Sequence, residues 1–290
     1  MSLLESILSV KNVENHKVFT IFGIKIKLKR RINAFKNDII NEISELHRQT
    51  KFEIEKATLL LRTDAAARQL HPETFAKYKN AFAGKDVVLL ATGPSLNQFK
   101  PIEDAIYVGV KKAFLYEKVK LDYLFFIDYP SLLSYIEEAK DCPAVKFYGL
   151  VRDGHLNAEQ QSMVIPESVA LRHNAFRFYE NGIADPKIQE DLNFAYDLTC
   201  TPLTTYSSVV FFAMQFIMWG NPRRIYLVGC DVSQEGHWDS DEYKMDNWFI
   251  DTVMRGWKKM KEFCETFYPE TEIISVNPVN LRGMFKDWDQ

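Results

Sequence analysis

From Asp86 onward, short apolar runs alternate with longer stretches of helical periodicity. Val87–Ala91, Ile106–Val110, Tyr123–Ile127, Ala144–Gly149, Arg224–Val228 and Glu272–Val276 are predicted as strands. Val87–Ala91 has no polar alternation, which suits a strand covered on both faces, as in a parallel sheet. Helices are expected at Lys112–Val119, Ser131–Ala139, Tyr206–Trp219 and Trp248–Phe267. This alternation implies βαβ units, hence an α/β fold with a doubly wound, mostly parallel sheet. Residues 151–203 are less regular and predict an insertion or cap over the carboxyl edge of the sheet.

The first third of the chain has a different pattern. Residues 1–32 form a small unit of their own. Phe19–Lys29 predicts a β-hairpin turning near Gly23, and its second strand alternates Ile24, Ile26 and Leu28 with Lys25, Lys27 and Lys29. With Arg30 and Arg31 this is either a hairpin with one solvated face or a basic ribbon resting on anionic lipid. Residues 33–70 then read as one long helix. Phe35, Ile39, Ile43, Leu46, Ile54, Ala57 and Leu61 recur mostly at three- or four-residue steps. Such a stripe must be covered by the core domain or by another copy of the chain, as in a homo-oligomer. His71-Pro72 is predicted to end this helix. Glu73–Ala83 is expected to be a short helix closed by Gly84. The domain reading is therefore 1–32, 33–83 and 84–290.

Composition narrows this picture modestly. With 290 residues, 47% of them hydrophobic, the chain can bury a sizeable core. A net charge of −3 and a pI near 6.1 argue against a general nucleic-acid binder. Cys142, Cys200, Cys230 and Cys264 are widely spaced with no CxxC pair, which predicts reduced core thiols in a cytosolic protein. No secretion signal is visible. The longest apolar run, Val209–Trp219, is too short to span a bilayer.

Candidate chemistry collects at strand ends, because open α/β sheets bind ligands outside the carboxyl ends of their strands. Thr92-Gly93-Pro94-Ser95 follows the first core strand. It is either an ordinary strand-to-helix turn or a phosphate cradle, with Ser95 and Gln98 at capping-box spacing. In the second reading Gly93 supplies backbone freedom and close approach to a ligand. Asp128-Tyr129-Pro130 and Gly229-Cys230-Asp231 end two further strands, and their carboxylates suit a helix cap, a ribose hydroxyl or a metal. Thr204–Ser208 precedes a very apolar helix. Ser207 and Ser208 either meet an anion there or sit in a turn capped by Thr205. The acidic loop Asp231–Asn247 is either solvated or a set of hard oxygen ligands for a divalent cation such as Mg²⁺. Its spacing matches no metal motif, so no metal ligand is assigned. His237 in this loop is the best general-base candidate, with Asp231 beside it and other acids of the loop as alternatives. Trp238 and Trp248 are either lid or core residues.

The ATGPSL turn, the helix from Ser207 to Gly220, IYLVGCD and SVNPVNL occur in this order over residues 84–283. In this the chain resembles the family 42 bacterial sialyltransferases. It also resembles the motility-accessory-factor glycosyltransferases and the hydroxymethylpterin diphosphokinase-like proteins (domain of unknown function family 115). HKVFTIFGIKIKLK resembles a leader found on bacterial capsule and lipopolysaccharide sugar transferases. The resemblance implies a Rossmann-like domain that binds a nucleotide-activated sugar, with Gly93, Pro94, Ser95 and Ser207 or Ser208 at the donor site. Two positions depart from the pattern. Lys111 stands where the family has an asparagine after the second strand, and a lysine contacts phosphate but lacks the paired donor and acceptor of an amide. No histidine lies at Asp246–Met254, where the sialyltransferases carry a catalytic one.

The expected activity is transfer from a nucleotide sugar, such as a CMP-linked nonulosonate, to a glycan or glycolipid of the bacterial surface. The setting would be the cytoplasm or the inner face of the inner membrane. Thr92, Gly93, Pro94, Ser95, Lys111, Asp128, Ser207, Ser208 and Gly229 form the expected donor site, with His237 and Asp231 catalytic. A pterin diphosphokinase using Mg²⁺-bound nucleotide, and a catalytically silent nucleotide-sugar-binding protein, are the alternatives.

Overall fold

A computed structural model describes residues 8–13, 16–21, 24–29, 31–150, 164–181, 193–239 and 245–290. Contacts divide the chain into Met1–Thr58 and Leu59–Gln290. In the first unit, β1 (Leu8–Val13), β2 (His16–Ile21) and β3 (Ile24–Lys29) form an antiparallel meander. The expected hairpin is β2–β3, in register from Ile21↔Ile24 to His16↔Lys29, and β1 adds a third strand. Gly23 lies outside the described residues.

Helix α1 (Arg31–Phe75) is continuous across its 45 residues, longer than predicted. It passes through Pro72 and ends only at Phe75, so the predicted stop at His71 and a separate helix from Glu73 are both incorrect. Proline removes one backbone donor and crowds the preceding turn. Burial on the helix's last turns offsets that cost: Thr63, Ala67, His71 and Phe75, each four residues on from the last, are all buried. His71 holds the helix by two further contacts. One ring nitrogen lies 2.9 Å from the Leu198 carbonyl, and the other accepts the Tyr179 N–H at 2.8 Å. A 3₁₀ turn over Ala76–Tyr78 follows.

The sheet of the second unit then begins. Its strands are β4 (Asp86–Leu90), β5 (Ile106–Val110), β6 (Tyr123–Phe126), β7 (Val145–Leu150), β8 (Phe176–Tyr179), β9 (Arg224–Val228), β10 (Glu272–Val276) and β11 (Lys286–Trp288). Among the described residues, the helices between them are α2 (Tyr129–Leu133), α3 (Ile136–Asp141), α4 (Glu167–Arg172), α5 (Val210–Trp219) and α6 (Asn247–Phe267). Sheet order is β11-β10-β9-β4-β5-β6-β7-β8, and every pairing is parallel. The architecture is thus the expected α/β, Rossmann-like, mostly parallel sheet. Two helical expectations fail. Lys112–Val119 is a 3₁₀ turn over Lys111–Leu115, and Ser131–Ala139 is broken into α2 and α3. Of the segment expected to form an insertion or cap, the described residues include α4 and strand β8, while residues 151–163 and 182–192 lie outside the described residues.

The burial of β4 explains its unbroken apolar run. Val87 and Leu89 join the core on one face and Val88 and Leu90 the core on the other, all four fully buried. Each such side chain contributes about 1.5–3 kcal/mol. α5 packs on β4 and β5 with all ten residues buried. Its one polar member, Gln215, accepts from the N–H groups of Ala195 and Thr204 and donates to the carbonyls of Thr204 and Phe211. A buried amide so saturated fixes the loop before the helix without leaving an unpaired group. Of the four thiols, Cys264 is buried and the other three are half-buried; none is disulfide-bonded.

Candidate functional site

Strand order locates the site. The chain lays down β4 through β8 in one direction, then returns to place β9 on the other side of β4. The crevice beyond the carboxyl ends of β4 and β9 is therefore the topological switch point, where open α/β sheets accept ligands. Both strands continue side by side past their ends. Ala91 N–H donates to the Val228 carbonyl and Gly93 N–H to the Gly229 carbonyl, each at 2.8 Å. Gly229 makes this approach with φ +67, and a β-carbon there would come within 2.8 Å of the Ala91 carbonyl oxygen.

Gly93 differs from expectation. Its φ is −70, a region open to any residue, so backbone freedom is not what it supplies. Space is: a β-carbon would lie 2.6 Å from the Asp231 carboxylate and from the Gly229 carbonyl oxygen. Ser95 does not cap an α-helix either. It lies inside a 3₁₀ turn, Pro94–Gln98, that has Pro94 at its start and no side-chain cap. Asp231 accepts the Ser95 N–H at 2.8 Å and the Ser95 hydroxyl as well. Burial raises the Asp231 carboxyl above the ordinary range, and the two Ser95 hydrogen bonds oppose that rise.

The loop after β9 folds back over the same turn. Trp238 N–H donates to the Thr92 carbonyl at 2.9 Å, and the Asn97 amide donates to the Trp238 carbonyl at 2.8 Å. His237 Nδ1 lies 3.0 Å from Thr92 Oγ1. The Trp238 ring stands edge-on to Tyr116 at 5.6 Å, joining the core as well as covering the turn. Lys112, itself buried, pairs with Asp239. Burial holds His237 below the usual imidazole range. The Lys112 and Lys111 cations push the same way, against a Thr92 backbone hydrogen bond and the Asp239 charge. The imidazole is therefore a neutral group at neutral pH, able to accept a proton.

Lys111 and Asp128, at the ends of the neighbouring strands β5 and β6, pair at 3.3 Å. Lys111 adopts φ +47, which an asparagine tolerates better than a lysine. Asp128 also caps α2 by accepting the Ser131 N–H at 2.9 Å. Ser207 and Ser208 precede α5, whose first residue is Val210 rather than Tyr206. Ser208 N–H donates to Thr205 Oγ1 at 3.1 Å, which is the capping alternative. Ser207 has φ +60. Thr92, Gly93, Ser95, Gly229, Asp231 and His237 thus form one hydrogen-bonded knot, with Lys111 and Asp128 a separate pair on the same rim.

Sequence reasoning missed Lys112, Asn97 and Tyr116, which fix the loop over the turn. Lys112 sits beside Lys111, and only burial distinguishes them. It also missed Glu180, at the end of β8. That carboxyl is buried, both oxygens lack hydrogen-bond partners, and burial with the nearby Asp128 charge pushes it up to about 8. No group of three or more His, Cys, Asp or Glu is arranged for a metal among the described residues, and residues 240–244 of the acidic loop lie outside them. Among the described residues no helix is long and apolar enough to cross a membrane.

No protein-family profile matches the chain. No curated protein matches it either. Among solved structures it is similar to the sialyltransferase CstII from Campylobacter jejuni, in complex with the substrate analogue CMP-3FNeuAc. That match has 15% identity and a TM-score of 0.38, covering 66% of this chain and 80% of that one.

Proposed function

We propose that the protein is a glycosyltransferase that binds a nucleotide-activated sugar at the β4/β9 switch point. The observation that carries this reading is the seating of His237 against Thr92, directly over the turn at the end of β4. An anionic donor would lie along Thr92–Ser95, with Ser207 or Ser208 opposite. The Lys111 cation, on the rim beside Asp128, would stabilise negative charge on the departing phosphate. His237 takes the proton of the acceptor hydroxyl as its oxygen bonds to the anomeric carbon. The bond from that carbon to the phosphate oxygen breaks, and the nucleotide carries away the electron pair. Asp231 positions the turn through Ser95 and does not contact the reacting atoms in this scheme.

The finer reading is a CMP-linked nonulosonate donor and a glycan or glycolipid acceptor at the bacterial surface, met at the inner face of the inner membrane. The lysine-rich β3 would give weak attraction to anionic lipid, about 1 kcal/mol per near-surface cation. A thermal-shift panel of CMP-, UDP-, GDP- and ADP-linked sugars tests the reading, since a ligand bound only by the native state raises its stability. Stabilisation by one nucleotide series with release of free nucleotide is expected. Stabilisation without release would identify a silent binding protein, and no stabilisation by any series would remove the reading.

A further inference from the structure

Among the described residues, the apolar stripe on α1 is exposed. Ile39, Ile43, Leu46, Ile54 and Leu61 are between 39% and 70% exposed, and Thr50 and Ala57 between them are exposed too. The described buried residues of this helix, Thr63, Ala67, His71, Thr74 and Phe75, all lie in its last turns, beyond the stripe. The stripe is regular. Positions 39, 43, 46, 50, 54, 57 and 61 are separated by four, three, four, four, three and four residues, which is an 11-residue repeat traversed twice. At 3.67 residues per turn such a repeat keeps almost exact pace with an α-helix, so the stripe stays on one side, within roughly 80° of arc.

We propose that this stripe is a homodimer seam, in which α1 of a second copy packs parallel to the first. Three observations select that occupant. A stripe at this period presents the same straight ridge to an identical helix, so two copies pack with little or slightly right-handed supercoiling. The exposed apolar area is roughly 600 Å² per copy, so a pair buries on the order of 1,200 Å², the lower bound of a stable interface. The flanks carry opposite charge: Glu42 and Glu53 lie on one side of the stripe, Lys51 on the other. In a parallel pair related by a twofold axis, the acidic flank of one helix faces the basic flank of the other. In an antiparallel pair each flank would face its own kind, which is repulsive.

Sedimentation velocity of the full chain at tens of micromolar tests the seam. The expected result is a dimer that Ile43→Glu converts to monomer, by at least about a hundredfold loss of affinity, with unchanged far-UV circular dichroism. Phe52→Glu, an exposed position on the opposite side of the helix, should leave the dimer intact. Thr50→Leu, which removes the one polar residue of the stripe, should tighten association by about tenfold or more. Oxidation of an Ile39→Cys variant should give a 39–39 cross-link, identified by mass spectrometry, because only the parallel arrangement brings the two positions together. A monomeric wild-type chain overturns the proposal. So does a dimer insensitive to both Ile43→Glu and Thr50→Leu, or a dimer that gives no 39–39 link. Loss of vesicle binding in Ile43→Glu of a monomeric protein would assign the stripe to lipid and overturn it equally.

Discussion

The Asp231 carboxylate and Ser95 are joined by two hydrogen bonds, one from the main-chain N–H at 2.8 Å and one from the hydroxyl. That clamp ties the loop after β9 to the turn after β4 across the switch point. Charge-assisted bonds of this kind contribute about 1.5–3 kcal/mol each, and a partner left unsatisfied costs more. Asp231→Ala should therefore lower unfolding free energy by at least about 2 kcal/mol in urea titration and weaken donor binding as the turn loosens. Ser95→Ala, which keeps the main-chain bond, should cost less.

Gly93→Ala tests the same clamp from the other side. The added β-carbon must displace the Asp231 carboxylate or the Gly229 carbonyl, both 2.6 Å away. Overpacking of this kind costs typically 1–3 kcal/mol. Loss of binding in this variant should come with a fall in melting temperature. Loss of binding at unchanged stability would instead mean that the glycine makes room for ligand alone.

His237→Ala should lower kcat about 10²–10⁴-fold with little change in donor affinity, the signature of a general base. Because burial and Lys112 depress the imidazole of the free protein, wild-type kcat/KM should climb through an apparent pKa below 6.5 and level off at neutral pH. A rise that begins only above pH 7 would exclude His237 as the base.

His71 and Glu180 make opposite contributions to stability. His71, buried 0% exposed between α1, Tyr179 and Leu198, is pushed down to about 4, chiefly by burial. The unfolded chain binds a proton there below pH 6.5 and the folded chain does not. Its contribution is therefore full above 6.5 and falls by about 3 kcal/mol as pH drops towards 4. Glu180 is raised to about 8, so the unfolded carboxyl ionises above 4.5 while the folded one stays neutral. It costs stability progressively between pH 4.5 and 8. Glu180→Gln should remove that loss and raise stability at pH 8 by on the order of 2–4 kcal/mol in urea titrations, while leaving it nearly unchanged at pH 4.

The parts of the fold that show in the sequence are those where burial alone decides. Val87–Leu90 and Arg224–Val228 form strands because every core position is apolar, and α6 has a clean amphipathic period. β8 is hidden because Arg177 interrupts its aromatics; that arginine reaches out to Glu167 at 2.6 Å. β11 is a three-residue exposed edge, Lys286, Asp287 and Trp288, whose one apolar side chain, Trp288, is 41% exposed. Pro72 reads as a stop because the local rule is strong, yet tertiary burial of His71 and Phe75 overrides it. At the site, the strand-end positions of Gly93, Asp128 and Asp231 were legible, since topology aligns them. The reason for Gly93 was not, because its neighbour Asp231 is 138 residues away in the chain.

Calorimetric titration of the four nucleotide-sugar series into wild type and Lys111→Ala tests the central claim most directly. Lys111 is half-exposed on the rim and paired only weakly, at 3.3 Å, with Asp128, so its removal should leave the fold intact. One series should bind the wild type at a single site, and Lys111→Ala should weaken that binding about tenfold, as expected for one lost phosphate contact. Absence of binding by all four series, or equal binding to both proteins, would contradict a nucleotide-sugar site at the switch point.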